Sequence, residues 1–600
     1  MRAYRPGGRK AFLASERGAL VKEPGGRVKI ALIWPGTYRT GMSALGYLWV
    51  YGYLNSRSDT LAERFFWSEE PGQTARSVES NRKLDDFDFV AASMVLENDY
   101  WLLPLMVAEG GLNPERGQRN EGPLVAAGGI GVWSNPWPLW PFVDVFLTGE
   151  GEVSWPKLAD LLTSCDFKIA GAHERLALIS ELVPGALVPA LRPPESLFST
   201  APSGLASDFE AIGLSGYGRN SDGSERIDWP GPQSAQFEPV VPAFLNYPFE
   251  PALRPPVSPI LSSLAEFSNT ALVEISRGCP WGCRFCLAGA LYRPHRPWPA
   301  ETILAALEPY RRPGGRVGLI SPAVADHPEL GTILDVLYDD DLKVGLSSMR
   351  LSAVTEALAL KLAKSGLTGL AVAPEGGSET IRAIINKNLS EAEILSSAKL
   401  LAAAGLRRLK LYFMLGLPGE TDKDLEAMAE LAALIYRQTR TGKKGPLVTV
   451  SAANFTPKPH TPLEDAPLLT ESEMRRRGLL LTKLLKTKGP IELKLDPPKW
   501  TIIQGLLARG GPESADLVRA LVKHRGRSGQ ALKEYGYQES DPAHRGGERS
   551  RPWRVIAPKA GTEYLQREKQ LSKQAVLSLP CPAKRGCGRC QACPPGPAES

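Results

Sequence analysis

Seven of the eight cysteines fall into two short segments, and this clustering constrains the chain more than any other feature. The first segment spans 279–286 and the second spans 581–593. Cysteines of a hydrophobic core would be scattered, whereas cysteines that hold metals in a reducing compartment cluster at short spacings. The sequence therefore predicts two metal sites. Cys165 stands alone in an amphipathic pattern, and we expect a buried thiol without a function.

The overall charge is mildly basic. The 600 residues include 71 Lys and Arg against 65 Asp and Glu, a net charge of +6. This excess is compatible with a nucleic-acid substrate, but the basic residues form no concentrated stripe. The first residues lack the apolar segment of a secretory signal, and no apolar run approaches the ~18 residues of a membrane span. We therefore expect a cytoplasmic protein with no membrane contact and with reduced cysteines.

Alternating strand and helix patterns predict an α/β fold with parallel sheets in two parts of the chain, 27–165 and 266–465. The first part has predicted strands at 27–36, 87–95, 122–131 and 142–152. The second part has predicted strands at 271–276, 316–321, 343–348, 369–374, 408–415 and 447–454. Six βα units predict a barrel-like or open parallel sheet, with ligands at the C-terminal ends of the strands.

The remaining chain has a different character. Residues 166–265 are rich in Pro, Ser and Gly, which predicts a linker between the two α/β parts. Residues 466–600 are predicted to be mostly helical, with one strand at 491–495 and a polar tail that carries the second cysteine segment.

The first cysteine segment, ALVEISRGCPWGCRFCLAG, has the spacing C-x3-C-x2-C and follows directly on a predicted strand. Its cysteines are Cys279, Cys283 and Cys286. Iron–sulfur clusters are ordinarily held by four cysteines, so a three-cysteine loop leaves one iron open to another ligand. A zinc site is the alternative, and its nearest fourth ligand would be His295. A structural loop of unligated cysteines is the third interpretation.

This segment resembles the cluster-binding loop of the radical S-adenosylmethionine (SAM) superfamily, including the aromatic Phe285 before its last cysteine. Further matches are SSMR (347–350), APEGGSETIRAIINK (373–387), LYFMLGLPGET (411–421) and FTPKPHTP (455–462). The resemblance implies a partial (βα)6 TIM-like barrel and a [4Fe–4S] cluster whose open iron binds SAM. It also implies an electron donor such as flavodoxin or ferredoxin. In that family, reduction cleaves the sulfonium and yields a 5′-deoxyadenosyl radical.

The resemblance implies several cofactor-binding residues. Polar groups after the fourth strand meet the ribose in that family, which implies a role for Glu375. The glycine turn after the fifth strand lies against adenine, which implies a role for Gly416. Phe285 and Ser347 are further cofactor-binding candidates. The structural alternatives are a helix cap for Glu375 and a tight strand-to-helix turn for Gly416.

The carboxylate and the amine of SAM need charged partners. Arg350 and Arg382 are candidates for the carboxylate because a guanidinium fork matches it, although either could form an ion pair instead. The Gly-Gly-Glu turn that holds the amine in the family is replaced here by ISPAVADHP (320–328). Asp326 or backbone carbonyls are the available substitutes.

The N-terminal part resembles a Rossmann-like cobalamin-binding domain, through the segment GGIGVWSNPWPLWPFVDVFLTGEGE (128–152). No histidine lies in residues 1–160, so any bound cobalamin would lack a histidine ligand from this domain. Four aromatic residues follow predicted strands and either line a corrinoid cleft or seal the domain: Trp34, Tyr38, Trp133 and Trp137. The alternative is a Rossmann-like domain without cobalamin.

The second cysteine segment, CPAKRGCGRCQAC, has the spacing C-x5-C-x2-C-x2-C. Its members are Cys581, Cys587, Cys590 and Cys593. Four thiolates complete a metal shell without outside help, so an auxiliary iron–sulfur cluster and a structural zinc site are both open. A disordered cysteine-rich tail is the remaining interpretation.

The layout as a whole resembles an uncharacterised radical SAM family that has an N-terminal cobalamin-binding-like domain and a C-terminal cysteine cluster. The leading hypothesis is a radical SAM enzyme with an unidentified substrate, with RNA modification and methyl or methylthio transfer among the options. A cobalamin-dependent radical SAM methyltransferase is the second hypothesis. A non-catalytic iron–sulfur protein for electron transfer or nucleic-acid binding is the third. The open coordination site argues against the third, because electron carriers close their clusters with protein ligands.

Overall fold

The chain folds into two compact units, each assembled from distant parts of the sequence. The computed structural model describes residues 8–68, 75–119, 121–192, 239–245, 249, 253–346, 348–440, 442, 444–547, 551–582, 587 and 589–593. Unit 1 comprises Met1–Asn246, Ser258–Asn269 and Ile503–Ala557. Unit 2 comprises Tyr247–Val257, Thr270–Ile502 and Pro558–Ser600.

Unit 1 is built on a six-stranded sheet, and two further strands form a separate pair. The strands described in this unit are β1 (Glu16–Arg17), β2 (Val28–Trp34), β3 (Thr60–Phe66), β4 (Phe89–Ser93), β5 (Leu124–Gly128), β6 (Val145–Leu147), β7 (Ala186–Leu187) and β8 (Leu261–Ser262). The sheet order is β3-β2-β4-β5-β6-β7, while β1 pairs with β8 separately. All neighbours in the sheet are parallel except β6 and β7. The predicted parallel α/β sheet is confirmed.

Helices cover this sheet and supply its core. They are α1 (Gly8–Ala14), α2 (Tyr38–Gly41), α3 (Leu45–Ser56), α4 (Leu102–Glu109), α5 (Ile130–Ser134), α6 (Gly151–Thr163), α7 (Cys165–Ile169) and α8 (Ala172–Leu182). Strand residues such as Ile30, Leu32 and Val145 pack with Leu48 and Leu158 from the helices. This burial of apolar side chains stabilises the unit.

Unit 2 is a parallel α/β array. Its strands are β9 (Ala271–Glu274), β10 (Ser276–Arg277), β11 (Arg296–Pro297), β12 (Arg316–Ile320), β13 (Lys343–Leu346), β14 (Ser348–Met349), β15 (Gly369–Glu375), β16 (Arg408–Leu415), β17 (Leu447–Asn454) and β18 (Glu492–Leu495). The orders are β13-β12-β9 and β14-β15-β16-β17-β18, all parallel. Since β13 and β14 are nearly continuous in sequence, the six predicted strands follow one another in an open array, which β18 extends.

The helices of unit 2 lie between these strands. They are α9 (Leu287–Leu291), α10 (Ala300–Leu307), α11 (Leu330–Asp339), α12 (Glu356–Lys364), α13 (Glu379–Ile384), α14 (Glu391–Ala403), α15 (Asp422–Gln438) and α16 (Glu471–Lys486). Helix α14 begins with a capping box, in which Ser390 accepts from the Glu393 amide and Glu393 accepts from the Ser390 amide. Gly405 follows the end of α14 with a φ of 101°, a conformation that favours glycine at the end of a helix.

The C-terminal region is helical, as predicted. Its helices are α17 (Pro498–Arg509), α18 (Ser514–Lys523), α19 (Ser528–Tyr535), α20 (Pro542–Arg545) and α21 (Thr562–Lys573). Short 3-10 turns occur at Leu84–Asp86, Glu97–Asp99, Arg116–Gln118, Trp137–Leu139, Pro189–Leu191, Glu308–Tyr310, Val324–Asp326, Leu351–Ala353 and Pro552–Val555. Within the ranges described above, every helix is too short or too polar to cross a bilayer.

The division of the chain differs from the one predicted. Residues 166–182 continue in helices and β7 joins the sheet, so the first part of the predicted linker is integral to unit 1. Its central part, 193–238, lies outside the described residues. The predicted C-terminal region is shared, because 503–557 belongs to unit 1 and 558–600 to unit 2. Cys165 is exposed rather than buried, since it begins the short helix α7 just after its cap, Ser164.

Candidate functional site

The three cysteines of the first segment lie on a loop between the first strand of the unit 2 array and helix α9. Gly278 starts this loop with a φ of 75°, and a Cβ there would lie 2.2 Å from the Tyr292 carbonyl oxygen. Only glycine fits such a close approach in the left-handed region. Cys286 ends the loop as the N-cap of α9, and its Sγ accepts from the Gly289 amide at 3.4 Å. The loop therefore sits at the C-terminal end of a parallel strand, where ligands bind in such folds.

The three thiols are partly buried and lie close enough to influence one another electrostatically. Burial, followed by the nearby Cys283 and Cys286, raises the pKa of Cys279 well above its usual range. Burial and Cys283 likewise raise the pKa of Cys286. Each ionised thiol would therefore repel the others, and a bound metal cluster would neutralise this charge.

The donor set fits an iron–sulfur cluster better than a single ion. A tetrahedral zinc with Zn–S bonds of about 2.3 Å brings its sulfurs to within about 3.8 Å of one another. No group of three His, Cys, Asp or Glu side chains among the described residues is arranged to hold one ion. His295, the proposed fourth zinc ligand, belongs to no such group. Burial, His327 and Arg296 lower its pKa to about 4.

Asp326 lies beside the cysteine loop. Trp281, in the middle of the loop, donates its indole N–H to Asp326 Oδ1 at 2.9 Å. Asp326 Oδ2, which we call the open oxygen, is buried and has no hydrogen-bond partner in the part of the chain that the structure describes. Burial raises the pKa of this carboxyl, against the Trp281 hydrogen bond and the charge of Arg350. An open carboxylate oxygen near the first cysteine is the feature expected of a group that receives an ammonium.

Arg350 contacts the ring of Trp281 directly. Its guanidinium carbon lies 3.7 Å from the centre of the indole ring. Arg350 also donates to the carbonyls of Lys387 and Asn388. It therefore helps to fix the Trp281 ring that orients Asp326. Ser347, predicted beside it, lies outside the described residues.

Glu375 ends the fourth strand of the array in a strained conformation. Its φ is 66°, and the pairing of β15 with β16 shifts between Val372 and Glu375. Strain at a non-glycine residue is commonly retained for function. Its carboxylate pairs with the Lys387 ammonium at 3.4 Å. Burial lowers the pKa of Lys387, but Glu375 and Cys283 raise it by more, so this pair faces the cysteine loop.

Arg382 makes contacts that the sequence did not predict. It is 1% exposed and donates to the carbonyls of Leu389, Gly376 and Gly377. These hydrogen bonds hold the turn that follows Glu375. The contacts support a positioning role for the guanidinium, and its expected role toward the SAM carboxylate stays a prediction.

Phe285 and Gly416 occupy the positions expected after the first and fifth strands. Phe285 packs on an apolar cluster made of Ile381, Ile385, Leu417, Phe455 and Leu463. Gly416 has a φ of 90°, and a Cβ there would lie 2.6 Å from Leu469 Cδ1. Its amide donates to Glu420 Oε2 at 2.6 Å. The backbone conformation and the close approach of Leu469 therefore require glycine at 416 whether or not a cofactor binds. The position of this turn at the end of a strand also fits the expected contact with adenine.

The second cysteine segment packs directly against the first. The Cys581 amide donates to the Pro280 carbonyl at 2.6 Å. Burial, followed by the charges of Cys581, Cys590 and Cys587, raises the pKa of Cys593, so the four thiols share one locus. Three of them, Cys581, Cys587 and Cys590, line a cavity of about 310 Å³. The sequence could not reveal this contact, because almost 300 residues separate the two segments and no motif links them.

A buried arginine ties the C-terminal segment to the cysteine loop. Arg284 is 0% exposed and donates to Glu568 Oε2 at 3.1 Å and to the Val576 carbonyl at 2.7 Å. It also donates to the carbonyls of Ala383 and Ile384 at 2.9 Å each. The arginine between two candidate metal-ligating cysteines is thus a structural anchor, which sequence reasoning missed.

The strand ends of unit 1 are partly covered by the unit's own C-terminal segment. Trp133 and Trp137 are both 0% exposed, and Trp137 donates its indole N–H to the Pro552 carbonyl at 2.7 Å. Asn135 donates to the carbonyls of Leu507, Ala508 and Gly510. These two tryptophans therefore seal the domain rather than line an open cleft. Tyr38 is also buried, whereas Trp34 is half-buried.

A three-thiol loop at the C-terminal end of a parallel strand, with an acid and a strained glutamate beside it, is the arrangement expected of an iron–sulfur enzyme that binds a small cofactor. Residues 273–432 match the family model described as the radical SAM superfamily, and residues 46–189 match the one described as radical SAM proteins, N-terminal. The chain belongs to the radical SAM superfamily and is a radical SAM enzyme. The [4Fe–4S] cluster and SAM are the cofactors of this superfamily.

Other similar proteins were found. An uncharacterised protein of Methanocaldococcus jannaschii is 26% identical over 483 residues, which cover 80% of this chain and 88% of the relative. The cobalamin- and [4Fe–4S]-bound radical SAM methyltransferase TsrM of Kitasatospora setae has a TM-score of 0.47 at 13% identity, over 73% of this chain and 74% of that one. The cobalamin-dependent radical SAM enzyme OxsB has a TM-score of 0.42 at 13% identity, over 68% of this chain and 52% of that one.

Proposed function

We propose that this enzyme binds SAM in front of the first cysteine loop and starts radical chemistry on a separate substrate. The observation that carries the proposal is the convergence of the three-thiol loop, the open oxygen of Asp326 and the strained Glu375 at one end of the array. A reduced [4Fe–4S] cluster held by these thiols would supply the one electron that cleaves SAM into methionine and a 5′-deoxyadenosyl radical. The test is formation of 5′-deoxyadenosine by the anaerobically reconstituted protein under dithionite.

Each neighbouring residue has a role that its contacts support. Cys279, Cys283 and Cys286 hold the cluster. Asp326 receives the amino group of SAM through its open oxygen. Glu375, held by Lys387, accepts from the ribose hydroxyls. In these roles the two carboxylates accept hydrogen bonds from SAM, and their negative charge strengthens these hydrogen bonds.

The apolar cluster beneath Phe285 serves the same site in another way. Ile381, Ile385, Leu417 and Phe455 present apolar side chains on this side of the site. In this proposal the adenine ring of SAM lies against Phe285 and the Gly416 turn. Water is kept from this side of the site, which protects a reactive radical from side reactions.

We expect Asp326→Asn to weaken SAM binding about tenfold or more, because a hydrogen bond between charged groups contributes about 1.5–3 kcal/mol. The amide keeps the size of the side chain and can still accept from Trp281. Equilibrium dialysis of SAM against the reconstituted enzyme measures the change. Asp335→Asn is the control, since Asp335 pairs with Lys361 on the surface of the same unit. Equal affinities of the Asp326 variant and the wild type would remove Asp326 from the site.

We further propose that Cys581, Cys587, Cys590 and Cys593 hold a second metal centre. Replacing all four by Ser should lower the metal content while leaving the first cluster in place. Point variants are preferable to a truncation, because Val576 and Ser578 in the same segment hold Arg284. Iron, zinc and sulfide analysis of both proteins measures the loss. Identical metal content in the variant and the wild type contradicts a second centre.

The substrate is the open part of the proposal. RNA modification and methyl or methylthio transfer are the reaction classes that we carry forward, with a cytoplasmic one-electron donor of the flavodoxin or ferredoxin class. The cobalamin-dependent methyltransferase remains the alternative. The corrinoid would have to occupy a part of the unit 1 sheet edge other than that sealed by Trp133 and Trp137.

A further inference from the structure

A buried cation, Arg293, lies between the two cysteine clusters of unit 2. It is 6% exposed. Its Nε donates to the Gly289 carbonyl at 2.7 Å, and the Gly289 amide donates to Cys286 Sγ at 3.4 Å. The backbone of Gly289 therefore links this guanidinium to Cys286, a ligand of the first cluster in our proposal.

The other side of Arg293 faces the second cluster. Arg293 lines the 310 Å³ cavity together with Cys581, Cys587 and Cys590. Its guanidinium lies 5.0 Å from the centre of the Tyr564 ring, and Cys590 and Cys581 are among the groups that raise its pKa. The chain thus places one cation against two sets of candidate metal-binding thiols.

The charge of Arg293 calls for anionic partners. Burying a cation without compensation is costly, and neutral thiols do not supply the missing charge. None of the ion pairs found among the described residues joins Arg293 to a carboxylate, and its electrostatic neighbours include Tyr564, Cys590 and Cys581. Thiolates that are bound to a metal would supply this negative charge.

The size of the cavity favours one kind of metal centre. The 310 Å³ beside Cys581, Cys587 and Cys590 leaves room for more than a single ion. A tetrahedral zinc needs its thiolates within about 3.8 Å of one another, whereas no three His, Cys, Asp or Glu side chains among the described residues are arranged to hold one ion. An iron–sulfur cluster carries its own sulfides and occupies such a space.

We propose that the second centre is a redox-active iron–sulfur cluster and that Arg293 is the positioning residue that couples it to the cysteine loop of the first. This inference rests on the proposed function. The positive charge of Arg293 beside Cys590 stabilises the reduced cluster, which is the more negative form, and so raises its reduction potential. The hydrogen bond to the Gly289 carbonyl fixes the guanidinium at the same time against the turn that carries Cys286.

The test uses full-length protein in which Cys279, Cys283 and Cys286 are replaced by Ala, so that only the second cluster is titrated. In this background we compare Arg293→Gln, Arg293→Lys and the control Arg567→Gln. Arg567 lies over the same Tyr564 ring at 5.4 Å and lines the same cavity, but it is exposed. Iron and sulfide analysis comes first, followed by a redox titration monitored by electron paramagnetic resonance.

We expect Arg293→Gln to lower the reduction potential by at least about 59 mV, a tenfold change in the one-electron equilibrium constant. Arg293→Lys should be intermediate and Arg567→Gln should have little effect. If Arg293→Gln loses the cluster and Arg293→Lys retains it, the result also supports the inference, because the cluster then requires a positive charge at this position. Zinc in place of iron, or an unchanged potential in Arg293→Gln, overturns the inference. Failure of the proposed function would show instead as no 5′-deoxyadenosine from the wild-type enzyme, whatever the second centre contains.

Discussion

Replacing Cys279, Cys283 and Cys286 together by Ala should abolish the formation of 5′-deoxyadenosine. The three thiols are the protein ligands of the first cluster in this proposal, and without them SAM has neither an iron to bind nor a source of the electron. Chromatography of anaerobic reactions with SAM and dithionite measures the product. This is the largest effect that we expect, because no other group among the described residues replaces the ligands.

The control for this variant is Cys165→Ala. Cys165 is exposed on α7 in unit 1 and belongs to neither cluster. It should leave the product yield unchanged, which shows that losing a thiol does not by itself inactivate the protein. Product at the wild-type level from the triple variant would refute the assignment of the first cluster.

The second large effect is on stability, and it follows from Arg284. We expect Arg284→Met to destabilise unit 2 by about 3–5 kcal/mol, because removing one partner of a buried ion pair leaves the other charge uncompensated. The partner left without a compensating charge is Glu568, which is 1% exposed. The carbonyl of Val576 would also lose its hydrogen-bond donor. Urea unfolding and limited proteolysis of the C-terminal segment measure the loss.

Arg475→Met is the matched control. Arg475 pairs with Glu471 one helical turn away on α16, and its side chain is 58% exposed. Exposed pairs of this kind contribute about 0–1 kcal/mol. If both variants unfold at the same urea concentration, Arg284 does not anchor the C-terminal segment.

Most of the parallel strands could be predicted because their apolar runs are continuous and local. The sequence pattern does not predict β3, since TLAERFF carries two charges in its centre and resembles an exposed segment. Both charged residues are buried because partners elsewhere compensate them: Arg64 pairs with Glu79 and Glu16, and Glu63 with Arg82. Partners that are distant in sequence cannot be identified from a local pattern.

The same reasoning separates the predictable from the unpredictable parts of the site. The cysteine loop can be recognised by spacing alone. The turn-holding contacts of Arg382 and the contact of Arg350 with Trp281 depend on which carbonyls and rings the fold brings near. Tertiary packing determines contacts of this kind, so they cannot be predicted from the charged residues that lie near a motif in the sequence.

The way in which the two units share the C-terminal part of the chain has a consequence for biosynthesis. Residues 503–557 complete unit 1 and residues 558–600 complete unit 2, so unit 1 stays incomplete until most of unit 2 has been synthesised. Long-range contacts of this kind slow folding. Arg284 and Pro280 meet Glu568 and Cys581 only after nearly 300 further residues have been added. Iron–sulfur assembly factors would therefore reach the first cysteine loop while it is still uncovered, and the C-terminal segment would then pack over a loop already loaded with its cluster.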